Sequence, residues 1–448
     1  MADLAGLINN CESNSKKTRV NNILLLIVTI ILFLILGEFF FRIYYWALDV
    51  PIAANRNELC FKEMKNPKNY ESVSPDNFVY KQYWEENPLI GLVPKKNFVE
   101  GQTIFLPPIG KKKLRPAVIY AVQHHNRQGL TNIEDFSFKK PKNTSIRIAL
   151  FGDSFTCGSE VPLKFNVPSI LKELIPNSET LNFCVLGSGI DKMYARYALE
   201  SKQYGADVVL FNVLVDDLRR TSDCSLFRPN LIVSNGHLVV EKRKWKTLQD
   251  FYFNYSPPKF ESYFIKHILF IYDEYTSFRR AMKKGIEIFA VMIDELKIQT
   301  KEQNAALIIA PIIQENPTQL EMETYTKMIG ILKEKKVNFL DSHTFFSSQK
   351  KIYGNQSFYY TRAEDKFGHF SPIGNAVFAQ GLKMVNEKAG IINSSPNYYF
   401  ANFKNLELIY LIPENFSMQM QGKVRVISAF ESENLQDNSF ELLRGRDT

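Results

Sequence analysis

The chain has 448 residues, with 55 Lys and Arg against 47 Asp and Glu, a formal net charge of +8. Hydrophobic residues make up 45% and charged residues 23%, which suits a packed globular protein and excludes wholesale disorder. The positive surplus is thinly spread. Its densest run, Lys111-Lys112-Lys113, has no interleaved aromatic residue and reads as a solvated loop, so no nucleic-acid partner is expected. Five Cys residues without a Cys-x-x-Cys pair argue against a zinc ribbon or a disulfide-built scaffold. The six His residues stand at 124, 125, 237, 267, 343 and 369, so any His-based chemistry must use one of these.

Residues 1–19 read as a cytoplasmic tail and residues 20–46 as a transmembrane anchor, since the apolar run exceeds the roughly 20 residues a membrane helix needs. Tyr44, Tyr45 and Trp46 would sit at an interface. Lys16, Lys17 and Arg19 precede the run, whereas only Arg42 and Arg56 lie close on its other side. That bias puts the N-terminus in the cytoplasm and the remainder outside, in a periplasmic or cell-surface setting. The same lysines would suit a cleaved signal peptide, but bulky aromatics follow the apolar core where a small-x-small site would be needed. Glu38 and Arg42 are four apart and share a helical face, where they can pair. Outside, Cys60, Cys157, Cys184 and Cys224 share an oxidising compartment. Four thiols permit three full pairings, and buried unpaired cysteines are the alternative.

Residues 47–145, rich in Asn, Pro and Lys with weak periodicity, read as an extracytoplasmic lead-in with a few short strands. Residues 146–390 form the main domain, with a hairpin and helical insert over 225–300. Apolar strands are expected at 146–151, 180–185, 207–215, 306–311 and 337–340, alternating with helical stretches that include 167–174 and 192–204. Short apolar strands alternating with helices imply an α/β fold, a parallel sheet with helices on both faces. The first three strands end in Gly152-Asp153-Ser154, Leu186-Gly187-Ser188-Gly189 and Asp216-Asp217, at the carboxyl edge where such sheets place their sites. Asn235-Gly236 between two β-branched runs reads as a hairpin turn. Residues 263–299 read as largely helical, and Ser371-Pro372 opens a last helix with Ser as N-cap. Residues 391–448 are a C-terminal extension in which 406–412 and 424–427 are candidate strands.

A serine between a strand and a helix start is exposed at the sheet edge, near backbone N–H groups that favour developing negative charge. Gly187 ends the next strand, and His369 precedes the last helix. Gly152-Asp153-Ser154-Phe155-Thr156, the segment from Asn182 through Gly187-Ser188-Gly189, and Gly368-His369-Phe370-Ser371-Pro372 together resemble the blocks of the SGNH (GDSL-type) hydrolases. The likeness is nearest to the bacterial branch with one N-terminal membrane anchor. Glu38 with Arg42, Asn87-Pro88 through Gly91-Leu92-Val93-Pro94, Asn126-Arg127-Gln128-Gly129-Leu130 and the Asn235-Gly236 hairpin also look like that branch, so ordered matches run over about residues 85–387.

The resemblance implies a flavodoxin-like SGNH-hydrolase fold and assigns roles by position. Ser154 would be the nucleophile and His369 its general base. The backbone N–H groups of Ser154 and Gly187 would line the oxyanion hole. The sequence departs from the family pattern twice. Asp216 stands where the family carries an oxyanion-hole Asn, and Asn212, four residues back or about 13 Å along a strand, is too distant to replace it. The family's acid sits two or three residues before the His, at Phe367 or Lys366 here. Asp365, four before, is the candidate, with Glu364 or a backbone carbonyl as alternatives. The resemblance implies an ester hydrolase or O-acyl(acetyl)transferase acting on an acylated glycan or small ester without metal or organic cofactor. A catalytically weak relative that binds glycan or a partner in an envelope assembly is the competing expectation.

Overall fold

The computed structural model describes residues 2–48, 52–54, 58, 61–62, 70–73, 78–80, 84–105, 118–158, 161–221, 228–241, 247–257, 259, 261–353, 358–359 and 368–393. Asp365, Glu364, Lys366, Phe367, Cys60, Cys224, Lys111-Lys112-Lys113 and the strands expected beyond 393 lie outside the described residues. The chain divides into two compact units, residues 1–81 with 248–280 and residues 82–247 with 281–448.

In the first unit one helix runs Ala2–Leu48, so residues expected as a tail continue the helix of the apolar segment Asn21–Ala47. That segment is long and apolar enough to cross a membrane. Arg42 Nε donates to Glu38 Oε1 at 2.8 Å, the pair expected from the i,i+4 spacing. The unit also holds a short antiparallel ladder of β1 (Tyr70–Val73) and β2 (Phe78–Tyr80), the helix Leu248–Asn254, and the start of the helix Tyr263–Glu302.

The second unit opens with two hairpins, β3 (Trp84–Asn87) with β4 (Gly91–Pro94), and β5 (Phe98–Phe105) with β6 (Val118–His125). The eight-residue strands β5 and β6 are longer than the sequence pattern suggests. A two-stranded ladder pairs through its backbone and does not by itself require a buried face, so the period-2 signal is faint.

The Asn126–Leu130 segment has a clear physical role. Asn126 Oδ1 accepts from the N–H groups of Gln128 (2.9 Å) and Leu130 (3.0 Å), folding the loop on itself. The loop then joins the main sheet's edge, where Asn132 Nδ2 donates to Thr180 O (3.0 Å) and Thr131 N to Asn182 O (3.0 Å).

The main sheet consists of β7 (Ile146–Phe151), β8 (Ser178–Asn182), β9 (Val208–Leu214), β12 (Ala306–Ile312) and β13 (Asn338–Phe339), all parallel, in the order β13-β12-β9-β7-β8. Between β9 and β12 falls the hairpin of β10 (Asn230–Ser234) and β11 (His237–Glu241), whose turn residues Asn235 and Gly236 both have positive φ (51° and 79°). Counted along the chain the sheet order is 2-1-3-4-5, which is flavodoxin-like.

Every residue of β7 and β9 is buried, as expected for parallel strands covered on both faces. Ile148, Leu150, Leu210, Ile308 and Ile312 pack against the helices Val167–Leu174 and Pro372–Lys388. Residues of opposite parity supply an aromatic stack, Phe151 between Phe183 (5.1 Å) and Phe211 (4.7 Å), edged by Tyr197. The buried Arg147 of β7 is neutralised by its register partner Glu179 of β8, 2.6 Å away.

Cys157 and Cys184 form a disulfide, closing a loop of 27 residues. Replacing both by Ser should lower the unfolding free energy by about 3 kcal/mol through loss of the cross-link. Urea unfolding of the oxidised wild type and the double variant measures this, and equal midpoints would contradict it.

Candidate active site

The flavodoxin-like order reverses direction between β7 and β9, and the connections leave these strands toward opposite sides. Sheets of this order place their sites at the carboxyl ends of that pair. The residues that follow them, Gly152-Asp153-Ser154 after β7 and Asp216-Asp217 after β9, stand there.

The turn after β7 is built for close approach. A Cβ on Gly152 would lie 1.9 Å from Thr156 Oγ1, so only glycine fits. Gly152 O accepts from Val185 N (3.0 Å) and from Ser188 Oγ (3.1 Å), tying this turn to the one after β8. Asp153 caps the short helix Ser154–Cys157, its Oδ1 accepting from Phe155 N at 3.0 Å. Ser154 begins that helix and is 9% exposed.

Ser154 Oγ lies 2.6 Å from His369 Nε2. The His369 ring rests on Phe155 at 4.9 Å, and the next residue, Phe370, meets Phe155 edge-on at 4.8 Å. Ser371 holds the histidine loop by capping the helix Pro372–Lys388, its Oγ accepting from Gly374 N at 3.1 Å. The structure thus brings Ser154 and His369, 215 residues apart, into hydrogen-bond contact.

Gly187 has φ of +63°, with open space where a Cβ would point. Its carbonyl accepts from Arg228 Nη2 at 2.6 Å. The disulfide joins Cys157, three residues after Ser154, to Cys184, three before Gly187, and so braces the two turns against each other.

Asp216 turns to arginines. Its Oδ1 accepts from Arg219 Nε (2.7 Å), and its Oδ2 from Arg219 Nη2 (3.1 Å) and Arg220 Nε (2.9 Å). Burial alone would raise its pKa, but the Arg219 hydrogen bond and the two positive charges outweigh that and hold it below the usual carboxylate value. Both oxygens are engaged by guanidinium groups. Asn212, on the buried strand β9, donates from Nδ2 to Thr156 Oγ1 at 3.0 Å.

Arg220 is one residue at the site to which sequence reasoning gave no role. Its Nη1 reaches Asp153 Oδ2 (2.8 Å), Asp217 Oδ1 (2.7 Å) and Ser188 O (3.3 Å), while its Nε holds Asp216. One guanidinium therefore links the turns after β7, β8 and β9. Asp217 is fully buried, and burial together with the nearby Asp153 pushes its pKa well up. The Asp216 and Asp217 contacts follow i,i+4 and i,i+3 spacing and were readable from sequence. The Asp153 contact spans 67 residues and left no local signal. Arg228 was also missed. Besides holding Gly187 O, it lies 3.5 Å from the buried Asp191, whose pKa burial raises.

The fold and this site define a flavodoxin-like α/β protein, with a serine and a histidine in contact at the topological switch point. Solved structures similar to the chain include TesA, at 10% identity and a TM-score of 0.33 over 54% of this chain and 98% of that one. A protein of the G-D-S-L family from Desulfitobacterium hafniense DCB-2 is 13% identical, with a TM-score of 0.33 over 54% of this chain and 99% of that one. The acetylxylan esterase Axe2 from Geobacillus stearothermophilus is 14% identical, with a TM-score of 0.33 over 54% of this chain and 94% of that one. No protein-family model and no curated protein sequence matches the chain.

Arg220→Gln should destabilise the second unit by about 3–5 kcal/mol at neutral pH, because buried carboxylates lose their counter-charge. Without that charge, the pKa of Asp217 rises further above its unfolded value. The protonated form is then favoured in the fold, so the deficit shrinks as pH falls. Chemical unfolding of variant and wild type at pH 5 and pH 8 tests this, and an equal deficit at both pH values would contradict it.

Proposed function

We propose that the chain is a membrane-anchored ester hydrolase or O-acyltransferase with Ser154 as nucleophile and His369 as general base. The observation that carries this reading is the 2.6 Å contact between Ser154 Oγ and His369 Nε2 at the carboxyl edge of the sheet. In the reaction, Nε2 takes the hydroxyl proton as Oγ attacks the acyl carbon. The carbonyl π electrons move onto oxygen. Collapse of that oxyanion expels the alcohol, which receives the proton from His369, and leaves an acyl-serine. Water or an acceptor hydroxyl then repeats the sequence in reverse, giving hydrolysis or transfer.

The proposed oxyanion donors are the backbone N–H groups of Ser154 and Gly187. The left-handed backbone of Gly187 and the Arg228 bond to its carbonyl support a pre-set turn there. Asp216, charged and held by Arg219 and Arg220, is proposed to brace the site and to donate nothing to the oxyanion. Asp365 is proposed to orient His369. The proposed substrate is an O-acyl group, acetyl foremost, on a surface glycan. A large polymer outside the cell suits an anchored enzyme, and the Cys157–Cys184 disulfide supports an oxidising compartment.

The second reading, a catalytically weak glycan- or partner-binding relative, is favoured by one observation. The position of the family's third oxyanion donor holds a carboxylate paired to two arginines. One such donor is typically worth about 10²–10³ in rate. A fluorophosphonate probe separates the readings. An activated Ser154 is labelled in the wild type and not in His369→Ala, whereas an inert Ser154 favours the binding role.

Turnover of a model acetyl ester should fall nearly to background in Ser154→Ala and in His369→Ala, with the double variant little worse than either. Independent, multiplying effects would break the proposed pair. For topology, a reporter fused after Thr448 that is active only outside the cytoplasm should be active. Cytoplasmic activity would reverse the orientation proposed from Lys16, Lys17 and Arg19.

A further inference from the structure

Within the first unit, the helix Tyr263–Glu302 begins against the C-terminal half of the apolar segment Asn21–Ala47, at Phe33, Gly37 and Glu38. Phe264 packs edge-on against Phe33 at 5.6 Å and meets Phe41 at 5.9 Å. Gly37 is the point of close approach, since a Cβ there would lie 2.6 Å from the Phe264 ring. His267 lies over Phe41 at 4.0 Å, with its Nδ1 2.8 Å from the Tyr45 hydroxyl. Gly37 precedes the end of the apolar segment by ten residues, about 15 Å at ~1.5 Å per residue. The helix therefore starts below the level at which that segment ends.

A helix start placed in hydrocarbon leaves N–H groups without water, which is unfavourable unless each finds another acceptor. Here the first four are satisfied. Glu38 Oε1 accepts from Tyr263 N (3.1 Å), and Glu38 Oε2 accepts from Phe264 N (3.0 Å) and the Ser262 hydroxyl (2.8 Å). Ile265 N donates to Ser262 Oγ (3.1 Å) and Lys266 N to Ser262 O (3.0 Å). Glu38, an acidic residue within an apolar segment, finds its partners in the same contact, with Arg42 completing the set.

The side chains that follow suit lipid. From Tyr263 to Tyr272 the one formal charge is Lys266, which is buried and 2.8 Å from Glu58 Oε1. Ile265, Ile268, Leu269, Ile271 and Tyr272 are 39–65% exposed. A contiguous apolar patch of this kind, continuous with a membrane-spanning face, marks an interaction surface.

We propose that residues 263–272 are a second membrane-embedded element, a partial span beside the anchor, with Ile265, Ile268, Leu269 and Ile271 against lipid acyl chains and the helix start capped by Glu38. This rests on reading the Asn21–Ala47 segment as an anchor. Such an element would fix the rotation and depth of the anchor, which a single helix leaves free.

The test uses the full chain in phosphatidylcholine–phosphatidylglycerol vesicles, with a diazirine-bearing amino acid placed singly at Val28, Ile268 or Ile298. All three are exposed, and Ile298 lies far along the same helix. After illumination, mass spectrometry reads which species each site has captured. Lipid adducts are expected at 28 and at 268 and not at 298. Glu38→Ala should lower the yield at 268 and leave that at 28 unchanged. Lipid at 28 with water or protein captured at 268 overturns the proposal while leaving the anchor intact. No lipid at 28 overturns the anchor reading itself, and the embedded element with it.

Discussion

The site depends on one constraint, the reversal of strand order between β7 and β9. Because β8 and β12 lie on opposite outer sides of that central pair, the chain leaves the pair in opposite directions, and the turns that end the two strands diverge from one point. The strands are buried on both faces, and the residues that follow them are held close, with Asp153, Ser154 and Asp217 buried and Asp216 half-buried.

Diverging turns that carry one site must be held together. Three kinds of bond do this here. The Arg220 guanidinium gathers Asp153, Asp216, Asp217 and the Ser188 carbonyl, so that the turns after three strands share one charged centre. The Cys157–Cys184 disulfide makes a covalent tie between the first two turns. Gly152 allows the closest backbone approach, with its carbonyl bonded to Val185 N and Ser188 Oγ. The Ser154–His369 contact is therefore set between turns that are braced from below, and a serine hydroxyl that must be aimed within a few tenths of an ångström has a rigid base.

The first unit uses the same logic. Glu38 would be costly in an apolar segment and the start of the helix Tyr263–Glu302 would be costly without caps, but each supplies what the other lacks. Lys266 and Glu58 repeat the pattern. Burial pushes Glu58 up, and the hydrogen bonds from Lys266 and from Ala54 N pull it below the usual carboxylate value.

Much of this was legible in the sequence, because the relevant physics is local. Apolar runs of strand length set the sheet, Asn235-Gly236 set a turn with two positive φ angles, Ser371-Pro372 set a helix start, and the spacing of Glu38 and Arg42 set their pair. Motif resemblance singled out Ser154, Gly187, Asp216 and His369, though not the state of Asp216, which depends on where Arg219 and Arg220 point. Tertiary structure alone decided which cysteines pair, that Arg220 reaches Asp153 across 67 residues, that Arg228 holds Gly187 across 41, and that Glu38 caps a helix more than 220 residues away. Propensity, spacing and capping act within a turn or two of the chain, whereas these contacts depend on the path of every element between the partners, and only the folded sheet fixes that path.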